Sequence, residues 1–410
     1  MRSSVRRPQG AVMTINASLP ERGRDLRLDL FRGVANWWIF LDHIPNNVLN
    51  WLTIRNYGFS DAADLFVFIS GYTASFVYAR VMLERGFIIG TAKVLRRAWQ
   101  LYVAHVLLFL VFITAVGLAA QHWNQPALVN ELNVAGVINN PIQTVFEGLI
   151  LRFKPVNFDV LPLYIVLMLV FPIVLWCMLR QPDVVMLCSV LVYISARHFG
   201  WNLPSYPSGH WYFNPFCWQI LFIVGAWFAL GGALTTQRII RSRAFIIAGS
   251  TYLLFALVMT MAGRFPDVGH QLFPDWLFDA FNPNDKTNIA PYRVLHFLVV
   301  AFMITRFLPR DWPGLKWKVF APAIACGQHS LEVFCSGVFL AFAGHFVLLL
   351  HPGLRMQIAV SVVGILLLCT VGYYKRWSDE LDKSPPRLLE DEHARKPGKS
   401  VLDALRGKPA

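Results

Sequence analysis

The chain has 410 residues, 56% of them hydrophobic and only 15% charged, and its mean hydropathy is +0.47. An ordinary soluble domain carries about 25% charged residues, so this composition excludes one and points to a membrane protein. The net charge of +13 does not indicate a nucleic-acid partner, because seven Arg fall in the first 32 residues and nine Lys or Arg in residues 375–410, and most of the others lie in short segments between the apolar runs. Basic residues gathered outside apolar runs are the usual topogenic signal.

The chain opens with a polar, Arg-rich segment, residues 1–25. It is not read as a cleavable signal peptide, since the first apolar run behind it is interrupted by charges. A span needs roughly 20 mostly apolar residues. On that basis ten runs follow, at 26–49, 62–81, 97–120, 158–177, 184–196, 213–233, 244–261, 291–307, 321–349 and 356–373. The fifth is short and the ninth long. Residues 26–376 thus form one transmembrane domain, and residues 377–410 a charged, mobile cytoplasmic tail. With both termini in the cytoplasm, the inner loops 80–97, 237–243 and 306–318 are rich in Arg and Lys, while the longer outer loops 44–60 and 121–157 are poor in them. That alternation satisfies the positive-inside rule. The expected fold is an all-α polytopic transmembrane helical bundle of about ten spans.

The six cysteines lie in or beside apolar runs with no Cys-x-x-Cys pair, so no metal site or disulfide framework is indicated. Residues 201–213 and 265–285 mix aromatics with Asn, Asp, Pro and Gly. Such loops suit stacking on sugar rings; they also suit the aromatic belt of a membrane interface.

The first run carries the strongest signal. At about 100° per residue, Asp29, Arg32, Asn36, His43 and, if the helix continues, Asn47 share an arc of roughly 60°, opposite a face of Leu, Trp, Ile and Phe. Arg32 and His43 are eleven positions apart, about 16 Å along a helix. Pro45 then ends or kinks the helix. Asp29 and Arg32 are also compatible with a simple i,i+3 ion pair, and His43 with a packed core histidine. Five polar positions on one stripe favour a functional cavity. Asp42 and Asp64 are both candidates to orient His43, and the sequence does not choose between them. Asp61 is read as a cap of the second span or a substrate contact. Lys93, Arg96 and Arg97, with Arg32, could hold an anionic group on a cytoplasmic ligand; plain topology explains each of them equally well.

These residues resemble a known pattern. Arg32 and His43, preceded by Leu28-Asp29, are similar to the first-helix signature of the acyltransferase-3 superfamily of membrane enzymes. Asp64-Leu-Phe-Val-Phe-Ile-Ser-Gly-Tyr72 resembles its second-helix motif, and Leu95-Arg-Arg-Ala-Trp-Gln-Leu-Tyr102 its Arg-rich third helix. Asp61 to Tyr72 and Gly327-Gln-His-Ser-Leu-Glu-Val-Phe334 look more specifically like the OpgC family, whose members succinylate osmoregulated periplasmic glucans. The resemblance runs from about residue 25 to 374. Many superfamily members carry a histidine late in the chain where Ser330 to Gly337 has none, so that role is not carried over.

The resemblance implies a bacterial inner-membrane O-acyltransferase. Its donor is succinyl-CoA or another acyl-CoA, a co-substrate rather than a resident cofactor. The donor's phosphates lie at Arg32, Lys93, Arg96 and Arg97, and His43 is the general base for a glucan hydroxyl. A covalent acyl-histidine is the less favoured variant. Asn36, Asn47, Asp61, Ser70 and Tyr72 are expected to contact substrate. A dicarboxylic acyl group needs a further cation, for which Arg152, Lys154, Arg264 and Arg293 are candidates. The expected partners are acyl-CoA, a periplasmic glucan or related polysaccharide and the lipid bilayer, with no nucleic acid; the sequence leaves room for a homo-oligomer. Two rival readings stand beside this one: the same chemistry on another envelope polysaccharide, and a transporter of an acidic or proton-coupled solute.

Overall fold

The computed structural model describes residues 23–382 and Ala17. The rest of the Arg-rich opening segment and the tail beyond residue 382 lie outside the described residues. Helix α1 (Leu26–Asp42) begins where the Asp25 carboxylate accepts the Arg27 backbone N–H at 3.0 Å. It stops at His43, two residues before Pro45. The expected continuation to residue 49 is therefore not found, and residues 48–56 form two short 3₁₀ turns. Helix α2 (Ala62–Arg85) starts from a capping box, Asp61 with Asp64. It turns into α3 (Phe87–His122) at Gly86, whose φ of 89° suits glycine.

The long 121–157 segment is not open loop but holds α4 (Ala127–Glu131), α5 (Ala135–Asn139) and α6 (Pro141–Leu149). Then come α7 (Val160–Arg180), α8 (Pro182–Phe199) and α9 (Pro215–Trp227), the last running on through a π turn at Phe228–Gly232. Behind it lie α10 (Ala233–Arg241), α11 (Arg243–Arg264), α12 (Pro266–Leu272), α13 (Asp275–Phe281) and α14 (Pro291–Phe307). The long ninth run proves to be two helices, α15 (Ala321–Gln328) and α16 (Ser330–Leu350), broken at His329. Helix α17 (Leu354–Leu381) closes the described chain.

The protein is all-α and multi-pass. Eight of the described helices are long and apolar enough to cross a membrane. Helices α1 and α14, at 17 residues each, are slightly shorter, and with them each of the ten apolar runs contains a long helix. Large side chains such as Leu107, Leu118, Ile247 and Leu366 are exposed on the outer faces; they suit lipid tails and would be a liability in water. Inside, Phe109, Phe112, Phe171, Trp218 and Phe222 are fully buried among α2, α3, α7 and α9.

Among the described residues two helix pairs come especially close backbone to backbone. Helix α1 packs on α15 and α2 on α9. A Cβ at Gly33 would overlap the Ala323 carbonyl oxygen, and one at Gly327 the Asp29 carbonyl oxygen. A Cβ at Gly71 or Gly225 would likewise strike the backbone of Phe222 or Phe68. Without lipid-excluded water to drive association, such close packing of small residues is what binds helices in a bilayer. Gly33→Ala is therefore expected to cost about 1–3 kcal/mol through overpacking, read as a lower unfolding temperature in detergent. An unchanged temperature would mean that the two helices separate freely.

Candidate functional site

The stripe on α1 leads into two cavities. At its His43 end lies a cavity of about 940 Å³, lined by α1, the start of α2 and the connecting segments around residues 55–61, 154–160, 205–213 and 260–293. Asp42, His43 and Asp61 are on its wall. At the other end a pocket of about 220 Å³ is lined by Arg32, Ser70, Thr73, Arg97, Tyr78 and Tyr164 among others. Between them Asn36 is buried, 2% exposed, and both of its amide atoms lack a hydrogen-bond partner among the described residues.

In the smaller pocket Arg32 donates to the Thr73 hydroxyl at 2.8 Å and to the Ile69 carbonyl at 3.4 Å, while its Nε–H is buried and has no partner among the described residues. A guanidinium with a donor left over can still receive an anion or a carbonyl. Arg97 joins it there. Lys93 and Arg96 do not: both are exposed on α3, Arg96 about 100° around the helix from Arg97 and Lys93 a full turn before it. Ser70 falls in this pocket, whereas Tyr72 lines a separate cleft of about 460 Å³ with Asp25, Arg27 and Arg241. Asp29, the stripe's first member, pairs with Arg24 at 2.5 Å instead of with Arg32.

In the larger cavity the His43 ring is half-buried and forms no side-chain hydrogen bond among the described residues. Neither carboxylate expected to orient it does so. Asp42 accepts from the Thr53 hydroxyl at 2.8 Å and has Arg55 at 3.9 Å. Asp64 is wholly buried and held by Arg293 through two bonds, at 3.0 and 2.5 Å. The buried guanidinium also reaches Asp61 at 2.9 Å, and Lys286 meets the same carboxylate at 2.7 Å. A buried carboxylate needs such compensation, so Asp64 ties α2 to α14 and does not serve the imidazole. Asp61 both caps α2, accepting from the Ala63 N–H at 2.8 Å, and faces the cavity. Asn47 has left the stripe; it donates to Ser361 at 2.9 Å and caps the first 3₁₀ turn.

Of the four cations considered for an acidic acyl group, Lys154, Arg264 and Arg293 line the cavity. Arg152 does not; it pairs with Glu147 at 3.3 Å. Arg293 is already engaged. Lys154 is 6% exposed, with its ammonium 4.1 Å from the centre of the Trp211 ring and 3.2 Å from the Leu151 carbonyl. It has no ion pair among the described residues, and burial pushes it down to about 8 against the pull of Asp159. The cavity also offers unspent hydrogen-bonding groups: Asn284 Oδ1 and Thr260 Oγ1 are buried without partners, and Asn133, Asn157, Asn282 and Tyr212 complete a polar rim. Aromatic walls at Phe59, Phe213, Phe278 and Phe281 lie beside them.

Sequence reasoning missed one arrangement altogether. Ser60, on the cavity wall, is 2.8 Å from Nδ1 of His296 on α14. The two are 236 positions apart, and the only signal available was a histidine inside an apolar run that also carries Arg293 and Arg306. No group of His, Cys, Asp and Glu suited to a metal ion occurs among the described residues.

Comparison with known proteins gives one match of wide coverage. The family model described as OpgC protein matches residues 24–380. Neither the curated proteins nor the solved structures include a match. The match begins just before α1 and ends within the last turn of α17, so it takes in both cavities and the whole stripe. The chain belongs to the OpgC family and is, in that general sense, an OpgC-type acyltransferase.

Proposed function

We propose that the protein moves an acyl group, succinyl, from cytoplasmic acyl-CoA to a hydroxyl of a periplasmic glucan, in the bacterial inner membrane and with both chain termini in the cytoplasm. The observation that carries this reading is the pair of cavities at opposite ends of one helical stripe, Arg32 in the smaller and His43 in the larger. A cytoplasmic donor meets Arg32 and Arg97, whose charges suit a phosphate or thioester carbonyl. The acyl arm passes Asn36, whose free amide atoms can follow the polar pantetheine chain. The thioester then lies near His43, and the sugar enters from the larger cavity, stacking on aromatic walls while its hydroxyls meet the Asn-rich rim. His43 takes the proton of the attacking hydroxyl as the new C–O bond forms and the C–S bond breaks. A transporter would have no need of an imidazole without partners at one fixed depth beside a sugar-sized cavity.

The experiment is direct. Periplasmic glucans extracted from cells with and without the gene are compared by mass spectrometry. Succinyl-sized increments that depend on the gene are the expected result. Increments of another mass would change the donor, and none at all would move the acceptor elsewhere or return the transport reading.

Lys154 gives the donor's acidic end a place. A desolvated ammonium over an indole face, with no carboxylate of its own, is a good receptor for the free carboxylate of a dicarboxylic acyl group. The sign of the pH effect follows from the charge. With its proton lost near pH 8, Lys154 holds a carboxylate fully below that value and ceases to hold one as the pH rises through it. The preference for succinyl-CoA over butyryl-CoA, measured as a ratio of kcat/KM, should therefore fall across about pH 8. In Lys154→Met it should be low at every pH. A preference flat with pH, or untouched by the substitution, removes Lys154 from the donor site.

A further inference from the structure

Ser60 and His296 form a pair that the reading above leaves unused, and the geometry points to a covalent role for it. We infer that Ser60 is a nucleophile activated by His296 and that it carries the acyl group as an ester between donor and acceptor. The inference rests on the proposed acyl transfer and divides its single step in two, so that Ser60 rather than the sugar hydroxyl breaks the C–S bond.

The first argument is the direction of the hydrogen bond. The Ser60 backbone N–H donates to His296 Nδ1 at 3.3 Å, and the Ser60 hydroxyl lies 2.8 Å from the same nitrogen. A nitrogen that accepts an N–H bears a lone pair, so the ring proton is on Nε2 and the hydroxyl is the donor. That is the arrangement of a serine facing its base. The second argument is what the hydroxyl does not do. A serine just before a helix ordinarily caps it by accepting a backbone N–H; here Asp61 does that for α2, which leaves the Ser60 hydroxyl to the imidazole. The third is rigidity. Gly58 leaves no room for a Cβ against the far edge of the ring, and Phe59 and Tyr252 flank it with centroids at 5.8 and 6.4 Å. A base held on all sides pays little to reach its working geometry. The fourth is access. Ser60, although only 2% exposed, is on the wall of the cavity that His43 shares, while His296 is buried and not on that wall. No carboxylate pairs with His296 among the described residues, since Asp61 and Asp64 belong to Arg293; the unit is a dyad.

The chemistry balances in two half-reactions. Ser60 Oγ attacks the thioester carbonyl while His296 Nδ1 takes the hydroxyl proton; the C–S bond breaks, and the departing thiolate recovers that proton as CoA thiol. The glucan hydroxyl then attacks the seryl ester, giving its proton to His43; the Ser60–acyl bond breaks, and the same proton passes from His43 through solvent in the cavity both residues line to restore the Ser60 hydroxyl. The net change is acyl from sulfur to sugar oxygen. Two histidines thereby acquire separate tasks, one for each half-reaction.

The purified full-length protein in detergent, given radiolabelled succinyl-CoA and no acceptor, is expected to gain a hydroxylamine-labile label on the peptide holding Ser60. His43→Ala should keep that label, because its histidine acts on the acceptor; Ser60→Ala and His296→Gln should lose it. Should Ser60→Ala fail to fold, Ser60→Cys keeps a nucleophile of similar size and turns the label into a thioester. An alkyl fluorophosphonate, which marks activated serines without any donor, supplies an independent reading and should label wild type and His43→Ala but not His296→Gln. Transfer by Ser60→Ala at the wild-type rate overturns the carrier and leaves the proposed transfer intact. Fluorophosphonate labelling of Ser60 that depends on His296, with no label from succinyl-CoA, instead overturns the donor while the nucleophile stands.

Discussion

His43→Ala is expected to lower acyl transfer to glucan by about 10²–10⁴-fold, the range lost with a general base, while the protein folds and resists heat as before. The second half of that expectation comes from the ring's surroundings. The imidazole caps nothing, since the backbone N–H at position 43 closes α1 onto Ile39 and Leu41 regardless of the side chain. It lies half-buried on a cavity wall without a hydrogen-bonding partner among the described residues. Truncating it removes no buried network, and changes of that kind usually stay within about 0.5 kcal/mol. His43→Gln should behave like His43→Ala, because an amide fills the space and cannot take the proton. The measurement is the initial rate of label transfer from acyl-CoA to purified glucan, read beside the unfolding temperature in detergent. A rate reduced only as far as the folded fraction is reduced would make His43 a packing residue.

Arg293→Met has the opposite signature. The guanidinium is 3% exposed and compensates two buried carboxylates at once. Removing one partner of a buried charged group costs about 3–5 kcal/mol, because the charge left behind has neither water nor a partner. Asp61 retains Lys286 at 2.7 Å, so the uncompensated group is Asp64. The expected result is a large fall in folded yield and unfolding temperature, with activity falling in proportion. Arg293→Met combined with Asp64→Leu should recover much of the loss, since an apolar pair of similar volume can replace a buried ion pair. Asp64→Asn alone should likewise destabilise the fold and leave the pH dependence of the remaining activity unmoved. An intact unfolding temperature together with lost turnover in Arg293→Met would transfer Arg293 from the scaffold to the chemistry.

The same network explains which parts of the site could be read from the chain and which could not. Helical periodicity put Asp29, Arg32, Asn36 and His43 on one stripe because those positions share a helix, and rotation per residue is a local property. It overran at Asn47, where Pro45 had already signalled the end. The basic cluster at the inner end of the third run named Arg97, which does share a pocket with Arg32, together with Lys93 and Arg96, which the structure leaves exposed. The ten apolar runs came out helical because span length is fixed by bilayer thickness. The partner of Asp64 was out of reach. Arg293 is 229 positions away, and a carboxylate three residues into a helix looks the same whether it orients a histidine or neutralises a distant arginine. Lys154 was one of four equivalent cations until the structure set it over Trp211. Ser60 and His296 belong to the same class of long-range pairing.

The backbone contact between α1 and α15 bears on how this protein can diverge. Where a carbonyl oxygen of one helix occupies the place of a side chain on the other, there is no smaller residue to fall back on and no compensating change across the contact, because the opposing atom is main chain. Positions 33 and 327, with 71 and 225 between α2 and α9, are thus the points at which the gene has least freedom to drift. Lipid-facing positions such as Leu107 or Leu366 can exchange one apolar side chain for another. A set of relatives acting on different polysaccharides would then be expected to vary most around the larger cavity's loops and to keep glycine at these four places, so that acceptor choice evolves on a frame that holds its donor end still.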